Sequence, residues 1–251
     1  MFEDYLTSAD HFSNRIHQGV LANTYYSGKV KDWTIDWNLD WVNQEHCEIS
    51  DIDEQSQLSN NHVTAESYRR NDMLATKLVL IREWGRGTFK VGTEDTYLLS
   101  RNRYSTLSDL VQNSRSEVKE TTLALFTEYA LLTSWGQWVV GLRGEHVSLH
   151  YNNLLEHDKD QDRTYDELFP FLSWSHLLGK LGLSVDYSSR TRRPNYWQMR
   201  DATEYHSRYI YEAGNPKLRN TVNHVLSLKA NYKWLSAGTE YLHAAHKILD
   251  W

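Results

Sequence analysis

Apolar and polar residues alternate along this chain in stretches of roughly ten residues, joined alternately by very short turns and long polar connections. The clearest stretch is Trp33-Thr34-Ile35-Asp36-Trp37-Asn38-Leu39-Asp40-Trp41, where odd positions are large and apolar and even positions polar or charged. Successive side chains of a strand point to opposite faces, so one face of this segment is apolar and the other wet. Leu181, Leu183, Val185 and Tyr187 repeat the division against Gly182, Ser184, Asp186 and Ser188. So do Leu226, Leu228, Ala230 and Tyr232 against Ser227, Lys229, Asn231 and Lys233.

The pattern predicts about ten antiparallel strands joined in sequence order. Ile16 to Tyr26 and Trp33 to Asn43 are joined by the tight connection Ser27 to Asp32, and the long acidic stretch Gln44 to Asn71 follows as a loop. Met73 to Glu83 and Thr88 to Leu98 meet at Trp84-Gly85-Arg86-Gly87 and leave through the loop Leu99 to Glu117. Val118 to Leu132 and Gln137 to Val147 meet at Thr133-Ser134-Trp135-Gly136, before the loop Ser148 to Glu167. Leu168 to Ser175 and Leu181 to Ser189 flank His176 to Lys180, and the longest loop, Arg190 to Thr221, leads to Val222 to Lys233 and Leu235 to His246.

A soluble antiparallel sheet also wets one face, so alternation leaves a large β-sandwich or β-helix open beside a membrane barrel. Two details favour the all-β, antiparallel, up-and-down transmembrane β-barrel. The segments have the roughly 9 to 11 residues that cross a bilayer when tilted, whereas globular strands cluster nearer 5 or 6. Trp and Tyr also gather at strand ends and turns, among them Tyr25, Tyr26, Trp84, Tyr97, Trp135, Trp138 and Trp234, as an interfacial belt requires. On this reading Trp33, Ile35, Trp37, Leu39, Trp41, Leu181, Leu183 and Val185 face lipid. The rival places them in a core between two sheets, as in a soluble β-rich carbohydrate- or ligand-binding module.

Composition narrows the choice. The 251 residues contain no dividing linker, so a single architecture is expected over 1–251. A mean hydropathy of −0.67 and the lack of a long apolar run exclude a transmembrane helix but not a barrel, whose wet face and loops dilute the average. The 10 Trp and 16 Tyr are too many for a disordered chain. The net charge of −6 is spread rather than blocked, which argues against a nucleic-acid surface. Pro170, Pro194 and Pro216 are expected at strand starts or in loops, where a missing donor is tolerated.

Candidate chemistry is sparse. Cys47 is the single cysteine, excludes an intrachain disulfide, and lies in an expected loop beside Glu45, His46 and Glu48. No second Cys or spaced His supports a metal there. Asp51, Asp53 and Glu54, or Asp158 and Asp160, could hold calcium in loops, but solvated loop charge is the simpler reading. Glu145-His146 and the pair His243 and His246 lack a nucleophile elbow, a zinc-protease motif or a phosphate loop. Neither an enzyme nor a cofactor is expected.

Four runs carry a resemblance. They are Gly141-Leu142-Arg143-Gly144-Glu145, Leu168-Phe169-Pro170-Phe171-Leu172-Ser173-Trp174-Ser175, Ser188-Ser189-Arg190-Thr191-Arg192-Arg193-Pro194-Asn195-Tyr196 and Gly214-Asn215-Pro216-Lys217-Leu218-Arg219. In order and spacing the chain resembles the C-terminal barrel of TonB-dependent receptors, and within it the outer membrane protein beta-barrel family of Bacteroidetes-type bacteria. The family-motif positions are Arg143, Glu145, Pro170, Arg190, Arg193, Pro194, Tyr196, Gly214, Asn215 and Pro216, all read as structural. Pro194 should end a strand and Gly214-Asn215-Pro216 should turn a long excursion back. Arg190, Arg192 and Arg193 are read as solvated rim charges, with a ligand role as the alternative.

The resemblance implies a receptor in the Gram-negative outer membrane, in contact with outer-membrane lipid, that takes up a small nutrient such as a metal chelate, a glycan or a peptide fragment. Its energy would come from TonB through a plug domain filling a barrel of about 22 strands. Neither a plug nor a signal sequence is recognisable from Met1-Phe2-Glu3-Asp4 onward. The chain is therefore expected to be a partial barrel whose first and last strands do not pair. A small self-contained pore would require them to pair.

Overall fold

The computed structural model describes residues 6–56, 60–194, 198–199, 203–207, 209–215 and 218–245. Its strands are β1 Leu6–Val30, β2 Trp33–Ser56, β3 Asn60–Trp84, β4 Gly87–Thr106, β5 Ser114–Thr133 and β6 Gly136–Asn153. They continue with β7 Gln161–Leu178, β8 Leu181–Arg192, β9 Thr203–Ser207, β10 Ile210–Ala213, β11 Thr221–Tyr232 and β12 Leu235–Ala245. Ten of them form one antiparallel up-and-down sheet in the order β1-β2-β3-β4-β5-β6-β7-β8-β11-β12, and β9 and β10 make a separate hairpin.

The two-residue turns Lys31-Asp32, Gly85-Arg86, Ser134-Trp135, Gly179-Lys180 and Lys233-Trp234 all lie at one end of the sheet. Gly85 and Gly179 have φ of 64° and 63°, and Lys31 and Lys233 adopt 55° and 53° without being glycine. A positive φ at the first turn residue matches the twist of the flanking strands and closes a tight hairpin. The expected connection Ser27 to Asp32 thus contracts to its last two residues.

The expected loops shrink at the other end. Most of Gln44 to Asn71 is strand, because β2 runs to Ser56 and β3 starts at Asn60, and Cys47 lies within β2 rather than in a loop. Likewise β4 runs to Thr106, β5 starts at Ser114, β6 runs to Asn153 and β7 starts at Gln161. Strands of 25, 24 and 25 residues for β1 to β3 replace the expected bilayer-length ones. The reason is physical: beyond the apolar zone the outer face becomes charged and the apolar residues Ile52, Val63 and Ala65 shift to the inner face, so the simple alternation is lost, while the ladder hydrogen bonds continue. Residues 57–59 and His246 lie outside the described residues.

Register defines the two faces. One cross-strand row runs Trp33, Arg82, Phe89, Tyr129, Val140, Leu172, Tyr187, Leu226 and Tyr241. It begins beside one short turn and ends in the interior of β12, as expected where strands tilt across a barrel wall. The rows beside it carry Ile35 with Leu80 and Val91, and Trp37 with Leu78, Thr93, Leu125 and Leu168. Together these rows make a largely apolar face over the nine strands from β2 to β12. The opposite face carries Asp36, Lys77, Glu94, Glu128, Arg143, Ser173, Asp186 and Lys229.

Pro170 departs from expectation, since it lies inside β7 opposite Leu142. It is tolerated because the β7–β8 ladder begins only at Phe171, so Pro170 sits where that edge is already unpaired. On the polar face, Gly141 makes room for a ring: a Cβ there would lie 2.2 Å from Phe171 Cε1.

Candidate functional site

The apolar face is bounded at the short-turn end by a cluster of rings. Trp33 and Trp84 meet Phe89 edge-on, and Trp84 also meets Tyr129. The Tyr129 hydroxyl donates to the Trp84 carbonyl at 3.0 Å, and Trp174 Nε1 donates to the Trp135 carbonyl at 2.9 Å. Toward the other end the same face turns charged. Arg70 pairs with Asp72, Arg101 and Lys119 with Glu117, and Arg103 with Glu66. There Tyr68 Oη donates to Glu45 at 2.5 Å, which holds the Glu45 carboxyl below its usual range and pushes the Tyr68 phenol up. Trp33, Ile35, Trp37, Leu39 and Trp41 share the apolar face with Leu181, Leu183 and Val185. Trp37 and Trp41 are exposed, and the others are half-buried by neighbours in the sheet.

On the polar face the resemblance motifs converge. Arg143 donates through Nε to Glu145 at 2.6 Å and through Nη1 to Glu94 at 3.3 Å. Glu94 also meets Lys77 at 3.3 Å. Arg193, just past the end of β8, bonds Glu145 through Nη2 and lies 3.9 Å from Glu120 through Nη1. Arg193 is therefore not a solvated rim charge: it fastens the start of the long connection to β5 and β6. Arg190 and Arg192 are exposed, as expected of rim charges, and Pro194 is buried where β8 has ended.

The far end of the connection is fastened separately. Arg163 donates to the Leu218 carbonyl at 2.6 Å, and Asn215 turns the chain, its N–H donating to Gln198 O and its carbonyl accepting from Leu218 N. Gly214, next to it, is half-buried. Tyr196 and Pro216 lie outside the described residues.

Between its two roots the connection folds over the polar face as the β9–β10 hairpin. Tyr205 of β9 packs into a buried cluster with Ile52, Val63, Ala65, Tyr104 and Val111. Its hydroxyl donates to Glu54 at 2.5 Å. Burial first, and the Glu54 carboxylate second, push the Tyr205 phenol up to about 12. Glu54 is thus a buried acceptor on one face of β2, while Asp51 and Asp53 lie on the other, bonded to Thr64 and His62. Strand alternation breaks up the expected acidic trio. It also separates Cys47 from His46 and Glu48, and burial pushes the Cys47 thiol up. Among the described residues no three His, Cys, Asp or Glu side chains converge as a metal set.

Beside Tyr205 the hairpin and the wall enclose a cavity of about 360 Å³ lined by Phe12, His46, Glu48, Arg69, Tyr104 and His206 among others. Sequence reasoning missed this site because its contributors lie about 150 residues apart; Tyr205 and Glu54 differ by 151 positions. Glu145 and His146, read as a strand-end pair, sit inside β6 on opposite faces, and His146 meets Asp166 at 2.7 Å.

Residues 29–248 match the outer membrane protein beta-barrel family. The chain belongs to that family. Its place is therefore the outer membrane, with the ten-stranded sheet as barrel wall. The fold is similar to that of the copper transporter OprC, with a TM-score of 0.68 at 13% identity over 93% of this chain and 41% of that one. The ferric yersiniabactin uptake receptor FyuA from Yersinia pestis aligns at 0.49 and 13% identity, over 84% of this chain and 36% of that one. This chain spans less than half the length of either. No curated protein matches in sequence. Membership excludes the soluble sandwich, and among the described residues no second sheet covers Trp37 and Trp41.

Proposed function

We propose that this chain is part of the wall of a TonB-dependent outer-membrane receptor that captures a small nutrient and passes it inward without catalysing a reaction on it. The observation that carries the reading is the cavity beneath the β9–β10 hairpin, on the polar face and at the end away from the short turns. In an outer-membrane barrel that end is extracellular and that face is the lumen. The cavity combines Arg69, two carboxylates and two imidazoles with Phe12, Tyr104 and Tyr205, a mixture suited to a polar ligand with some apolar surface. The apolar face, with Trp33, Ile35, Trp37, Leu39, Trp41, Leu181, Leu183 and Val185, then meets lipid.

In the sheet β1 pairs only with β2 and β12 only with β11 among the described residues. Two open edges of this kind need further strands, since an exposed ladder is an aggregation hazard. The plug, the remaining strands and TonB would complete the receptor. A passive pore is the competing reading, and energy dependence separates the two. Cells with and without the protein are given a fluorescent oligosaccharide, a labelled dipeptide or a ferric chelate, each with and without a protonophore. Protein-dependent, protonophore-sensitive accumulation of one probe is expected. Accumulation that ignores the protonophore identifies a pore, and no difference for any probe refutes uptake of these classes.

A further inference from the structure

Register orders the wall of the cavity beside Tyr205 into levels on the polar face. The level nearest the short turns reads His17, His46 and Arg69. The next carries Glu48, Ser67 and Tyr104, and the one beyond it Phe12 and Ser50. Basic and acidic side chains therefore stand at different depths. His46 and Glu48 are two residues apart on one face of β2, a separation of about 6.8 Å along the strand.

The acidic level is short of partners. Glu48 makes no hydrogen bond among the described residues, and its closest basic group, His46 Nε2, stands at 3.7 Å, beyond hydrogen-bonding reach. His46 is engaged elsewhere, its Nδ1 lying 3.2 Å from that of His17. That bond needs one imidazole to donate and the other to accept, so at least one of the pair is neutral. Arg69 is the fixed positive charge of its level.

We propose that this cavity takes a short zwitterionic peptide of dipeptide size, its C-terminal carboxylate on Arg69, its N-terminal ammonium on Glu48 and an apolar side chain against Phe12 and Tyr104. Two extended residues span up to about 7 Å, so the charged ends of a dipeptide match the two levels, themselves two strand residues apart. The volume of about 360 Å³ lies at the small end of ligand pockets. A neutral sugar leaves Glu48 and Arg69 without opposite charges, and a polyanionic chelate meets the like charges of Glu48 and Glu204. The inference deepens the reading of this cavity as the capture site and rests on it.

The test is calorimetric titration of the full chain in detergent with alanyl-phenylalanine, its N-acetyl derivative, its C-terminal amide, maltotriose and ferric citrate. The free dipeptide binds tightest, and each capped form about tenfold more weakly, as expected when one charge-assisted hydrogen bond is lost. Glu48→Gln abolishes the difference between free and acetylated dipeptide but keeps that between acid and amide, and Arg69→Gln does the reverse. Should Arg69→Gln unseat the hairpin, Arg69→Lys, which keeps the charge and loses the planar fork, weakens the acid and leaves the amide unchanged. Dipeptide binding indifferent to these substitutions overturns the proposal. Maltotriose or ferric citrate bound in preference to the dipeptide overturns it while the capture site stands, and no binding of any probe overturns the capture site with it.

Discussion

Tyr205→Phe tests whether the hairpin is held to the wall by one buried hydrogen bond. The substitution preserves the ring in its cluster and deletes only the donor to Glu54, which is 1% exposed. A hydrogen bond to a charged group contributes about 1.5 to 3 kcal/mol, and a stranded buried acceptor pays its desolvation as well. Glu54 keeps a long bond of 3.4 Å from Asn61, so the lower end applies, about 1.5 kcal/mol or about tenfold in the undocked population. Hydrogen exchange at pH 7 over residues 203–213 should therefore speed up about tenfold while β2 and β3 exchange as before. The pH dependence has a definite sign. The phenol is raised from an ordinary value near 10 to about 12 in the docked hairpin, so the neutral form is favoured there. Its contribution is complete below about pH 10 and is lost as pH rises through about 12. A dye on Ile210→Cys, in a Cys47→Ser background, should report release in that window for wild-type Tyr205 and none for the Phe variant, with far-UV dichroism unchanged. Equal exchange in both proteins, or the same alkaline transition in both, would refute the tether.

Other consequences follow from the faces and the ion network. Leu39→Arg should lower folding stability in vesicles by about 2 to 4 kcal/mol, and the neighbouring Asn38→Arg by less than about 1; equal costs in a urea titration would contradict the assignment of faces. Glu145→Gln should weaken the grip on both Arg143 and Arg193, loosening the root of the long connection by about 1.5 to 3 kcal/mol, seen as faster proteolytic cleavage within residues 193–220 without loss of the barrel. Gly141→Leu should collide with Phe171 and cost about 1 to 3 kcal/mol, and the double variant Gly141→Leu, Phe171→Ala should recover much of it in the same titration.

How much could be read in advance follows from what carries each feature. Trp33 to Trp41 announce their strand because an apolar face backed by a wet one imposes a period of two. The short turns were equally legible, their positions following from where alternation stops. The long outer halves of β2 and β3 were not, since the apolar residues there, Ile52, Val63 and Ala65, lie on the opposite face and are covered by the distant β9–β10 hairpin. Pro170 was misplaced for a related reason: which edge of β7 lacks a partner is a property of the sheet, not of the residue. Arg143 and Glu145 were visible as a motif, yet their partners Glu94 and Arg193 lie on other elements.

The sequence by itself determined that about ten wall strands run antiparallel in chain order, and the side on which residues fall where alternation is clean, as in Trp33 to Trp41, because these follow from local alternation and turn chemistry; in Met73 to Glu83 and Val118 to Leu132, where both parities carry apolar residues, it did not. Only the tertiary structure decided that the connection between β8 and β11 turns inward and that Tyr205 reaches Glu54. Those depend on register and on contacts between residues far apart in the chain, which periodicity along one strand does not encode.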